Sequence, residues 1–152
     1  MAIPVHFADC FRAAQERMTQ ASLLRRAEHF ALAMYVAGAA VECMLRAFHP
    51  TDSEFDEKHD IALVFKGCDF DRLGDVARKR LRGPVQTVHL LWQNRFRFFS
   101  EDRLRSHLRL LGQHHRGVHK GADFLKVRCQ ELEDASLAVV TPGVQRWRST
   151  RP

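Results

Sequence analysis

The stretch Phe30-Ala31-Leu32-Ala33-Met34-Tyr35-Val36-Ala37-Gly38-Ala39-Ala40-Val41-Glu42-Cys43-Met44-Leu45-Arg46-Ala47-Phe48 contains one acid, one base and no proline. Phe30, Met34, Ala37, Val41, Leu45 and Phe48 recur at steps of three and four, the spacing of one helical face rather than of a strand. Ala37-Gly38-Ala39-Ala40 has no bulk on any side, so another element can approach closely there. An interior glycine costs about 1 kcal/mol against alanine, which close packing can offset. Glu42 stands among apolar residues, and a buried carboxylate needs a partner or it neutralises. His59, Arg95 and Arg97 are the expected partners, either as an internal ion pair or as a polar pocket for a phosphate.

Outward from this helix the same period continues. Phe7, Phe11, Ala14, Met18 and Ala21 predict a first helix, joined tightly through Arg25-Arg26-Ala27. His49-Pro50 ends the second helix, and an acidic loop runs to Lys58. Asp60 is placed to cap a short helix that stops at Gly67. A basic segment from Arg72 to Arg82 breaks at Gly83-Pro84. Val85, Val88, Trp92, Phe96 and Phe99 then predict a helix with Pro84 in its first turn. Ser100 caps the next segment, faced by Leu104, Leu108 and Leu111 and closed by Gly112. Leu125, Cys129, Leu132, Ala135 and Val139 mark the last helix, which Pro142-Gly143 is expected to end. The expectation is an all-α, up-and-down antiparallel bundle of four to five main helices with short extra helices, over residues 1–141, and a tail over 142–152.

A chain of 152 residues is one domain by size, and 45% hydrophobic with 28% charged residues excludes disorder. The longest uncharged apolar run, 30–41, is too short to span a bilayer, so no membrane role and a cytoplasmic location are expected. Cysteines 10, 43, 68 and 129 form no close pair and read as reduced thiols near the core. No phosphate loop, catalytic triad or cofactor motif is present. His115 and His119 are four apart, but the glycines around them argue against a helix that could present both to a metal. The net charge of +6 divides into −4 for residues 1–71 and +10 for 72–152. A mostly arginine second half suits phosphate, while the acidic first half suits a protein partner.

The run Leu23 to Ala47, with its AGAAVECMLRA core, resembles the signature of HEPN domains. Lys58-His59-Asp60-Ile61 resembles the element that follows their acidic loop, and Trp92-Gln93-Asn94-Arg95-Phe96 resembles a tryptophan–arginine element further on. The resemblance implies a helical bundle that pairs as a homodimer and is associated with RNA or nucleotides. It implies a place in a defence or toxin–antitoxin type system, with a nucleotidyltransferase or antitoxin as the partner. Nuclease members carry an arginine followed after four to six residues by a histidine, which Arg109 with His114 or His115 would supply. In that chemistry histidine moves a proton and arginine stabilises the phosphorane, without metal. Here Leu110 stands where the family has a polar residue. Five residues on an unbroken helix would also set Arg109 and His114 about 140° apart. A solvated helix end is the other reading of the same residues.

Overall fold

The computed structural model describes residues 5–49, 59–68 and 75–150. Among them are α1 (Phe7–Arg26), α2 (Phe30–Ala47), α3 (Ile61–Gly67), α4 (Asp75–Leu91), a 3-10 turn (Asn94–Phe98), α5 (Glu101–Leu110) and α6 (Phe124–Thr150), with no strand. The protein is an all-α helical bundle. The acidic loop from Pro50 to Lys58 and the start of the basic segment lie outside the described residues.

α2 is the axis of the bundle. It packs against α1 and α6, and touches α3, the 3-10 turn and α5. Met34, Val41, Met44 and Leu45 lose all exposure, as the apolar stripe requires. By length and composition α2 could cross a membrane, which the shorter uncharged run did not suggest; here most of it is buried as a core helix. Its small-residue run receives a side chain rather than a bare helix. The indole of Trp92 lies where a Gly38 Cβ would stand, and its Nε1 donates to the Tyr35 carbonyl at 2.9 Å.

Helix ends follow local rules. Asp60 accepts from the Ala62 and Leu63 amides, and Ser100 accepts from Arg103. Gly112, at φ 68°, ends α5 with its amide on the Arg109 carbonyl and the next amide on Leu108. The same paired bonds end α1, but Glu28 holds the left-handed position at φ 62°. His29 provides no side-chain cap for α2. Glu101, from the first turn of α5, accepts from the Ala31 amide at 3.1 Å instead.

Three expected boundaries are wrong, two of them at prolines. α4 continues through Gly83-Pro84 and ends at Leu91, so Trp92, Phe96 and Phe99 lie beyond it. Gln93 turns extended at φ −141°, and the chain re-enters the core through the 3-10 turn that buries Phe96. α6 also does not stop at Pro142-Gly143 but runs to Thr150. Tertiary contacts outweigh the missing proline bond there. Gly143 lies so close to Met44 that a Cβ would meet Sδ at 2.4 Å. One turn on, Trp147 stacks on Phe11 at 4.6 Å and meets Phe48 edge-on at 5.9 Å. Residues 142–150 are therefore part of the bundle rather than a tail.

Candidate functional site

The three pieces of sequence that carry the family resemblance meet along α2, between Tyr35 and Glu42. Trp92 covers Gly38, and Glu42, one turn on, accepts from His59 Nδ1 at 2.8 Å. Glu42 is 8% exposed, and Arg46 Nε, on the next turn of the same helix, donates to it at 2.8 Å. Arg46 is the partner that sequence reasoning missed, although the i, i+4 spacing was in plain view. Arg95 and Arg97 do not reach Glu42: they leave on the 3-10 turn, which points them outward. Arg95 donates to Gln93 at 2.5 Å instead. The outer wall of this region is a cleft of about 370 Å³ with His59, Asp60, His89, Trp92, Gln93 and Asn94 along it. His89 stands 3.6 Å from the Asp60 carboxylate there.

Beyond Gln93 the surface carries arginines backed by aromatic rings, in two sets on opposite flanks of α5, since Arg103 and Arg105 are two residues apart on that helix. Arg97 lies over Phe98 at 4.6 Å, and Arg95 and Arg103 lie over Phe99 at 5.9 and 5.5 Å. Arg105 and Arg109 lie over Phe124 at 5.7 and 5.1 Å. Such stacking fixes a guanidinium while leaving its N–H fork for an anion. Arg105 alone of the five is tied to a carboxylate among the described residues, through two bonds to Asp123 at 2.5 and 2.9 Å. That pairing, chiefly its hydrogen bond, holds the Asp123 carboxyl below the usual range. Phe98 is 76% exposed, an aromatic face open to solvent beside this charge.

Two histidines lie beside these arginines. His107 sits edge-on to Phe96 and Phe99. Desolvation first, then the charges of Arg95 and Arg103, hold its pKa below the ordinary value. His114 is lowered in the same direction by desolvation, by His115 and by Arg109.

The structure brings Arg109 and His114 to one ring. Arg109 lies over Phe124, while His114 meets that ring edge-on at 6.2 Å and packs against His115 at 3.6 Å. The reversal at Gly112 achieves this, since an unbroken helix would have carried the pair apart. The loop that bears His114 is anchored from below by Arg128, which is 2% exposed. Arg128 donates to the Arg116 carbonyl and to Glu131, and Arg116 donates to Glu131 at 2.7 Å. Arg128 was missed by sequence reasoning. Its signal was a charged residue at the helical spacing of the Leu125–Leu132 stripe.

A second buried acid lies in that stripe. Glu133 accepts from Ser22 at 2.5 Å and from Arg25, which ties α6 to α1. No family model, curated protein or solved structure matches this chain.

Proposed function

We propose that this protein is a HEPN-like bundle that binds RNA or nucleotides through its ring-backed arginines and the adjoining cleft, as a component of a defence or toxin–antitoxin type system. Arg95, Arg97 and Arg103 carry the reading: they lie over Phe98 and Phe99 with no carboxylate partner among the described residues, which suits phosphate, and exposed Phe98 offers an aromatic face beside them. The convergence of all three motif pieces around Glu42 and Trp92 supports the family reading. A homodimer is part of this reading, and the acidic first half would remain for a partner protein.

Anisotropy titration of labelled single-stranded RNA across a salt series tests the binding. Affinity is expected to fall linearly with salt on logarithmic axes, and Arg103→Ala to reduce the slope by about one. Binding indifferent to salt, or none at low salt, rejects the reading.

The meeting of Arg109 and His114 on Phe124 favours a second reading, a metal-independent endoribonuclease. A histidine held neutral can take the proton of a ribose 2′-hydroxyl as that oxygen attacks the adjacent phosphorus; the bond to the 5′-oxygen of the next nucleotide breaks, that oxygen leaves with a proton from water, and a 2′,3′-cyclic phosphate remains. Arg109 would stabilise the charge that builds on the phosphorane oxygens. Cleavage of RNA in EDTA that disappears in Arg109→Ala and in His114→Ala supports it. Cleavage that survives both removes these residues from the chemistry.

A further inference from the structure

Pro84 in α4 and Pro142 in α6 both lie inside their helices, and both line the same cleft. Proline has no N–H, so the carbonyl four residues earlier loses its intrahelical donor. Those carbonyls belong to Arg80 and Ala138, and these residues line the cleft as well. A helical carbonyl points along the axis at the nitrogen four residues on, so each oxygen sits beneath a proline ring on the cleft wall. The cleft thus has two backbone acceptors lacking their usual helical partners, in walls that combine Ala77, Leu81 and the proline rings with Gln145 and Ser149. A ligand that displaces water from such an acceptor must replace the lost hydrogen bond, so one with an N–H donor there is favoured over one without. Arg80 and Arg146 add positive charge to the same walls. The volume, about 670 Å³, lies within the range of small-molecule sites.

We propose that the α4–α6 cleft binds a small amphiphilic anion that carries an N–H donor between an apolar tail and its charged end, the chemistry of an N-acylated amino acid. The tail lies on Leu81 and the proline rings, the amide N–H donates to a proline-orphaned carbonyl, and the carboxylate pairs with Arg80. The site shares no residue with the ring-backed arginines and does not rest on the RNA reading.

Calorimetric titration of the full chain with N-decanoylglycine tests this, with decanoate and N-decanoylglycine methyl ester as comparisons. Decanoate lacks the N–H and the ester lacks the charge, so each is expected to bind about tenfold more weakly. Arg80→Gln should weaken the acid but not the ester. Pro84→Ala and Pro142→Ala each restore a backbone N–H to the orphaned carbonyl, and at least one should weaken N-decanoylglycine several-fold while circular dichroism shows the helices retained. Three ligands of equal affinity overturn the proposal. So does unchanged affinity in both alanine variants, or no binding up to the solubility limit. A dimer that closes this cleft and is broken by Arg80→Gln also overturns it.

Discussion

Gly38 and Trp92 occupy what would otherwise be one volume: a Cβ on Gly38 would fall 2.0 Å from the indole Cδ1. The indole cannot withdraw cheaply, because it is 3% exposed and its Nε1 is bonded to the Tyr35 carbonyl. Gly38→Ala should therefore destabilise the protein by about 1–3 kcal/mol despite its better helix propensity. Urea denaturation measures it, and a variant as stable as the parent would show that Trp92 is free to shift.

Glu42 is a shared acceptor, so its loss and that of His59 should differ. Glu42→Ala strips a carboxylate from beside Arg46 and is expected to cost about 2–3 kcal/mol. The His59 side chain is 41% exposed, so His59→Ala should cost under about 1 kcal/mol. Equal losses in the two variants would contradict this ranking.

The extension of α6 past Pro142 predicts that the last turns are structural. Trp147→Ala removes the stacked contact with Phe11 and should cost about 2–3 kcal/mol, below the value for a fully buried tryptophan. A chain ending at 141 should lose more, read as a lower thermal midpoint. If both variants melt with the parent, the end of α6 is not part of the core.

Glu28 holds a conformation that L-residues with a Cβ adopt at a cost of about 1 kcal/mol or more, and Gly adopts it freely. Glu28→Gly should consequently stabilise by up to about 1 kcal/mol, against the usual direction of glycine substitution. A lower denaturation midpoint would refute this.

His107 and His114 are both held below the ordinary 6.5 in the folded state. As pH falls below about 6.5 the unfolded chain takes up protons that the folded chain resists, so stability declines toward acid. The denaturation midpoint should drop between neutral pH and pH 5.5, and His107→Gln should reduce the drop. Midpoints that do not move would show that burial and the neighbouring charges do not hold these histidines down.

The parts of this fold that were legible in sequence are those with local causes. Asp60, Ser100 and Gly112 act on amides or carbonyls within a few residues, and their spacing announces them. The α2 stripe was legible because one period runs through the whole helix. Pro84 and Pro142 misled because the helix-breaking cost of proline is also local, while Met44, Phe11 and Phe48, which hold α6 together beyond it, are distant in sequence. In the site, His59 was readable as a partner of Glu42. The outward course of Arg95 and Arg97 was not, because it depends on the extended conformation at Gln93. The convergence of Arg109 and His114 depended on how the chain reverses at Gly112, which spacing alone leaves open.

Glu101 reaches back seventy positions to the opening amide of α2. A chain emerging from the ribosome therefore builds its first helical hairpin with that end still bonded to water, and seals it only when the later helix arrives. Hydrogen exchange at Ala31 should report that moment: fast in a nascent chain stalled before Ser100, slow once the carboxylate has docked.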